Sequence, residues 1–304
     1  MKTSVFITGG AGLLALNWAA TLRANFDVSI GIHNRIVNLK NTKSLILNME
    51  SQSSIEQIFD VLKPSLVVHT VGLTSIEACE ADPKAAKYVN VYLAKNVAII
   101  CAKLNIPLIH ISTDHLYGGA ESFVDENFPT NPVNVYGKTK AEAEKNVLDS
   151  NPQALVIRTN FFGWGTIYRT SFSDMVINSL RAGKEVMLFQ DIYFTPLLAE
   201  SLVYAVHELV DKKANGIFNV TGDDRISKYD FGIKLAKNFN LNLALIHAGS
   251  QADFKTIARR PFDMSLSNKK TSNFLGRKVG GLDQDILRLQ QQEKEGLLKE
   301  LQAL

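Results

Sequence analysis

The chain has 304 residues, enough to bury a substantial core as one elaborated domain or two. Hydrophobic residues make up 46% and charged residues 21%, close to globular averages, which argues against disordered and fibrous classes. The formal net charge of +3 is too small and too dispersed to point to nucleic acid or a membrane surface as partner.

In chain order, Ser4-Val5-Phe6-Ile7 is a short apolar run of the kind that forms a buried parallel strand. Thr8-Gly9-Gly10-Ala11-Gly12-Leu13-Leu14-Ala15 follows, and an apolar-periodic helix is expected to about Ala24. Glycines at such a turn let the backbone approach a pyrophosphate, whose charge the helix N-terminus then meets. The spacing is Gly9, Gly12 and Ala15, the alanine being small enough for close helix–strand packing. A second strand, Val28 to Ile32, ends in His33-Asn34-Arg35. The acid that would bind adenosine ribose hydroxyls is missing there, and Arg35 could instead pair with a 2′-phosphate, which points to NADP. A solvated loop arginine is the plainer alternative.

A third strand (Leu45 to Met49), a helix (Ser54 to Leu62) and a fourth strand (Leu66 to Gly72) come next. Asn48-Met49 and Thr70-Val71-Gly72 fall at strand ends that could line adenine and ribose. Asp82-Pro83 opens a helix to about Leu104, aspartate as N-cap and proline in the first turn. Pro107 to Ile111 is a fifth strand, ending in Ser112-Thr113-Asp114-His115, and His69 and His110 within strands read as packed side chains. This alternation argues for an α/β fold with a doubly wound parallel sheet of Rossmann type, ligands binding beyond the carboxyl ends of its strands. Beyond residue 150 the expected elements are a strand at Ala154 to Arg158 and an aromatic loop to Gly165. A helix from Ser173 and a strand from Val186 follow. Thr195-Pro196 is expected to start a helix reaching about Val210, Gly216 to Gly222 to form a strand, and Ser227 to cap a helix. A last helix should begin near Asp285. Cys79 and Cys101 lack metal-like spacing, no His/Cys/Asp cluster suggests a metal, and no apolar run reaches membrane-spanning length. The N-terminus carries no signal-peptide pattern, so a soluble, cytoplasmic protein is expected.

Val135-Tyr136-Gly137-Lys138-Thr139-Lys140 organises the chemistry. On a helix Tyr136 and Lys140 share one face about a turn apart, and of the eight tyrosines only Tyr136 has lysine at the fourth position on. A cation beside a phenol lowers its pKa, so that proton exchange with a carbonyl or carbinol oxygen becomes feasible near neutral pH.

Taken in order, Thr8-Gly9-Gly10-Ala11-Gly12, Ser112-Thr113-Asp114 and Tyr136-Gly137-Lys138-Thr139-Lys140 resemble the extended short-chain dehydrogenase/reductases. Asn134, Arg158-Thr159 and Arg260-Pro261 narrow the resemblance to dTDP-4-dehydrorhamnose reductase and its relatives. The resemblance implies an NADP-binding domain over residues 1–160, rejoined by about 190–222, with a smaller, mainly substrate-binding α/β region over 161–304. It implies Tyr136 as general acid toward a 4-keto oxygen, Lys140 as ligand of the nicotinamide ribose, and Thr113 as the hydroxyl that orients the substrate. Asn90 would support the lysine. Gly9, Gly12, Leu13, Leu14 and Ala15 would cradle the pyrophosphate, with Asn34, Arg35, Asn48, Met49, Thr70, Val71 and Gly72 along the adenosine. Asn160, Trp164 and Arg260 are the candidates for the sugar nucleotide, an aromatic for stacking and an arginine for a diphosphate. The implied activity is reduction of a nucleotide-activated 4-keto-6-deoxy sugar by NADPH. An epimerase or dehydratase of the same superfamily, or a non-catalytic NADP-binding regulatory subunit, stays open, as does a homodimer. Asn48, Thr70-Val71-Gly72 and Phe194-Thr195-Pro196 depart from the reductase pattern, and His115 stands where the dehydratases carry an acid.

Overall fold

The computed structural model describes residues 2–253 and 258–304. Seven strands form one parallel sheet: β1 (Ser4–Thr8), β2 (Asp27–Ile32), β3 (Lys43–Ile46), β4 (Leu66–His69), β5 (Leu108–Ile111), β6 (Leu155–Arg158) and Gly216–Asn219. Across the sheet the order is Gly216–Asn219, β6, β5, β4, β1, β2, β3, each pair parallel. The chain lays β2 and β3 to one side of β1 and β4 to β6 to the other. A crevice therefore opens beyond the carboxyl ends of β1 and β4, where loops leave in opposite directions.

β1 shows why the sheet is covered on both faces. Val5 and Ile7 enter one apolar layer with Trp18 of α1 (Leu13–Leu22) and Leu202 of the helix Ala199–Asp211. Phe6 points the other way, into a layer with Ile55 and Phe59 of α2 (Gln52–Leu62). Phe6 and Phe59 meet edge to face at 5.3 Å. A strand buried on both faces reads as a continuous apolar run, as this one does.

Between β4 and β5 the chain adds α3 (Ile76–Ala81), a helix around Cys79 whose bounds the sequence does not fix, because six residues are too few for a periodic signal. Its N-cap is Ser75, which accepts from the Ala78 amide. The expected long helix from Pro83 runs over 83–103, but as α4 (Pro83–Lys87), a π-helical turn (Tyr88–Tyr92) and α5 (Leu93–Lys103). The π turn turns Asn90 fully inward. Its amide bonds Leu73 through both N–H and C=O, and its Nδ2 donates to the Thr139 hydroxyl at 2.9 Å. Asn90 thus ties the segment after β4 to α6 (Val135–Ser150) at the residue before Lys140.

Several expectations need correction. Three strands end three residues early: β3 at Ile46, not Met49, β4 at His69, not Gly72, and the strand from Gly216 at Asn219, not Gly222. Thr195-Pro196 does not start a helix: Leu197–Leu198 pairs as a short strand with Phe161–Phe162, and the helix begins at Ala199. The Thr195 hydroxyl instead accepts from the Leu266 amide, so a tertiary partner outcompetes the local cap. The final helix is two, Leu282–Lys294 and Leu297–Gln302, broken at Gly296 with φ +91°. Ser227 does cap its helix, accepting from the Asp230 amide. Among the described residues no helix is long and apolar enough to cross a membrane.

Candidate active site

A cavity of about 650 Å³ lies beyond the carboxyl ends of β1, β4, β5 and β6. Each strand delivers a segment to it: Gly9 to Leu14 after β1, Thr70 to Gly72 after β4, Ser112 to His115 after β5, and Thr159 to Phe161 after β6. Arg35 after β2, Tyr136 and Lys140 on α6, and Tyr168 and Arg169 also line it, with Thr74, Ile76 and Ile111.

The glycine turn is shaped for close approach. Gly9 has φ +73°, and a Cβ there would meet Thr70 Oγ1 and Val71 Cγ2 at 3.0 Å. No side chain caps the N-terminus of α1 at Gly12, so its first-turn amides face the crevice without an intrahelical partner. Thr70 is held in turn by its hydroxyl donating to Thr8 O at 2.7 Å.

On the opposite wall Asn134 caps α6 by accepting from the Gly137 amide at 2.8 Å. A Cβ at Gly137 would come within 2.2 Å of His115 O, so glycine is what lets this helix start against the β5 loop. Tyr136 is buried among Ile76, Cys79 and Ala86, with the His115 ring edge-on at 5.5 Å. Thr113 is buried, its hydroxyl accepting from His115 N and donating to Asp114 Oδ1, both at 3.2 Å. Asn160 donates to the other oxygen of Asp114 at 2.5 Å, which ties the ends of β5 and β6 together.

The expected acidification of Tyr136 by Lys140 is not what the structure gives. Burial raises the phenol well above its ordinary value, and the Thr113 hydrogen bond only partly opposes this. Lys140 Nζ is turned to Ile111 O at 2.7 Å, and the cation acting on the phenol is Arg169. Desolvation wins because the ring is packed among Ile76, Cys79 and Ala86 and little of it is left to water.

A profile of the family described as RmlD substrate binding domain matches residues 1–292. The chain belongs to this family. A Haloferax volcanii protein named "Probable low-salt glycan biosynthesis reductase Agl14" is 29% identical over 290 residues, covering 94% of this chain and 96% of the relative. A dTDP-4-dehydrorhamnose reductase of Aggregatibacter actinomycetemcomitans is 26% identical over 243 residues, covering 76% and 82%. The crystal structure of dTDP-4-dehydrorhamnose reductase from Bacillus anthracis in complex with NADP superposes with a TM-score of 0.84 at 21% identity, over 96% of this chain and 100% of that one. That likeness establishes the Rossmann-like fold.

Within this RmlD-family fold, Thr113, Tyr136 and Lys140 come together, with Gly9, Gly12, Leu13, Leu14, Arg35, Thr70, Val71, Gly72 and Asn160 on the same cavity. Other candidates lie off it. Trp164 is fully buried in the core, its indole N–H donating to Leu289 O at 3.0 Å and its ring edge-on to Phe239. Its aromatic character serves packing. Arg260 is ion-paired with Glu77 outside the cavity wall. Asn34 is exposed beyond the cavity, Asn48 folds back to accept from the Glu50 amide, and Met49 packs under α2 and α5. His69 and His110, read as packed, are buried and stacked at 5.5 Å, and burial lowers His69 to about 3. Tyr168 and Arg169 carried no sequence signal, since a loop residue that crosses to a distant wall leaves no periodic trace. Among the described residues no group of His, Cys, Asp and Glu could hold a metal ion.

Lys140 gives a pH prediction. Burial lowers its ammonium from the ordinary 10.5 to about 8, with Glu144 opposing. Between those values the unfolded chain binds more protons at this residue than the folded one. Its contribution to stability therefore improves as pH rises through that window. In urea titrations Lys140→Met is expected to lose stability relative to wild type between pH 8 and pH 10.5. A difference independent of pH would mean the ammonium is solvated.

Proposed function

We propose that this chain is an NADPH-dependent reductase of a nucleotide-activated 4-keto-6-deoxy sugar, of the dTDP-4-dehydrorhamnose reductase type. The observation that carries the reading is the convergence of Thr113, Tyr136 and Lys140 on a cavity that also holds the glycine turn and Arg35. A dinucleotide fits the residues present: the Gly9 turn leaves room for backbone approach, and the uncapped α1 suits a pyrophosphate. When bound, the reduced nicotinamide supplies the hydride.

The chain supplies orientation and a proton. A phenol held above its ordinary value stays protonated at neutral pH, the form an acid requires. As the carbonyl oxygen gains negative charge, Tyr136 Oη gives up its proton to it, leaving a phenolate. The Thr113 hydroxyl, already within hydrogen-bond reach of its own loop, orients that oxygen. Lys140 would leave Ile111 O to bind a ribose hydroxyl and to offset the phenolate. Asn160 remains the candidate contact to the sugar.

The deciding experiment is to incubate the protein with NADPH and a panel of nucleotide 4-keto sugars and follow nicotinamide absorbance. Loss of NADPH matched by formation of the alcohol supports the reductase. Sugar isomerised without net NADPH consumption would reassign the chain to an epimerase, and cofactor binding without turnover to a regulatory subunit. Arg35→Ala is expected to weaken NADPH binding by about 10- to 100-fold, the loss of one charge-assisted contact, and NADH binding far less. Equal losses for both would remove Arg35 from the 2′-phosphate.

A further inference from the structure

Residues 165–170 form a preorganised turn that crosses from the second half of the chain to the cofactor side of the cavity. Thr166 and Arg169 exchange both backbone hydrogen bonds, at 3.0 and 3.2 Å. The buried Asp174 carboxylate accepts from the Gly165 and Ser171 amides at 2.8 Å each. A Cβ at Gly165 would sit 2.3 Å from Arg169 O, so the turn closes tightly at its base. From this base Arg169 donates to Thr74 Oγ1 at 2.6 Å, and the Tyr168 hydroxyl donates to Ala11 O at 3.3 Å.

The Tyr168 ring carries the Arg35 guanidinium on its face, 3.8 Å from the ring centroid. Arg35 is exposed, and among the described residues no carboxylate pairs with it. A guanidinium held over a ring face is fixed in place by cation–π attraction while its N–H groups stay available to grip a phosphate bidentately. Unsupported, an exposed arginine spreads over many rotamers, and ordering it would weigh against binding.

We propose that Tyr168 is a positioning residue for coenzyme selectivity: it presents Arg35 to the adenosine 2′-phosphate. This rests on the NADP reading above. Selectivity is then set jointly by the β2 loop and by a turn from the opposite half of the molecule. A ligand lacking the 2′-phosphate gains nothing from the stack.

The test is titration of NADPH and NADH, by quenching of protein fluorescence, into wild type, Tyr168→Leu, Tyr168→Phe and each in an Arg35→Ala background. Tyr168→Leu removes the ring face at similar volume and is expected to raise the NADPH Kd on the order of fivefold with NADH unchanged. Tyr168→Phe keeps the stack and should retain wild-type selectivity. With Arg35 absent, Tyr168→Leu should add nothing, because the two residues act through one contact. Wild type preferring NADPH while Tyr168→Leu weakens both coenzymes equally, or neither, overturns the proposal and leaves the NADP reading standing. Tyr168→Phe behaving as Tyr168→Leu also overturns it, assigning the effect to the Ala11 hydrogen bond. Wild type binding both coenzymes equally sinks the NADP reading itself.

Discussion

Tyr136→Phe is expected to lower turnover by about 10² or more while leaving NADPH binding nearly intact. The ring packs among Ile76, Cys79 and Ala86, and phenylalanine keeps that volume, so the fold and the cavity wall should survive. What disappears is the one hydroxyl on α6 that faces the cavity beside Thr113. In the proposed reduction, hydride delivery would generate an alkoxide unless a proton arrived with it, and Tyr136 is the hydroxyl placed to supply one. Proton donation is an interaction made only as the carbonyl oxygen gains charge, so the loss is expected on kcat more than on KM. Steady-state NADPH oxidation together with coenzyme titration of the same preparation checks both halves. Turnover near the wild-type rate would take Tyr136 out of the chemistry.

The parts of this site that sequence made legible are those fixed by short-range geometry. Gly9 and Gly12 sit at a strand-to-helix turn, and Tyr136 and Lys140 are four apart on a helix, so spacing alone sets their relation. The alternation of buried strands and helices likewise gave the sheet, because strands buried on both faces leave unbroken apolar runs. What escaped was decided by tertiary contacts. Trp164 and Arg260 have the side chains a sugar nucleotide would want, yet one is enclosed by Leu289 and Phe239 and the other is held by Glu77. Thr195-Pro196 reads as a helix start, but pairing of Leu197–Leu198 with Phe161–Phe162 takes precedence. The sign of the Tyr136 shift also escaped. Spacing predicts a neighbouring ammonium, whereas burial and the turn of Lys140 toward Ile111 are visible only in three dimensions.

Glu144→Gln is expected to destabilise the protein by about 3–5 kcal/mol, the cost of leaving one member of a buried ion pair uncompensated. Glu144 lies one turn beyond Lys140 on α6, and Arg158 closes β6 just before Asn160. Both side chains are about 95% enclosed, at 5% and 4% exposure, so water cannot take over the lost partner. The guanidinium engages the carboxylate through Nε at 3.0 Å and Nη2 at 2.7 Å, and its Nη1 donates to the Tyr117 hydroxyl at 2.6 Å. The pair therefore fixes the helix bearing Tyr136 and Lys140 against the strand that leads into Asn160. Glutamine preserves shape but removes the charge, leaving the guanidinium with a neutral amide. Because desolvating two ions largely cancels their attraction, the double change Glu144→Leu with Arg158→Met should recover most of the lost stability. It need not recover activity, since an apolar contact would set the helix against the sheet less uniquely. Urea unfolding of the single and double variants separates these effects, and a loss below about 1 kcal/mol for Glu144→Gln would place the pair in the class of solvent-screened contacts.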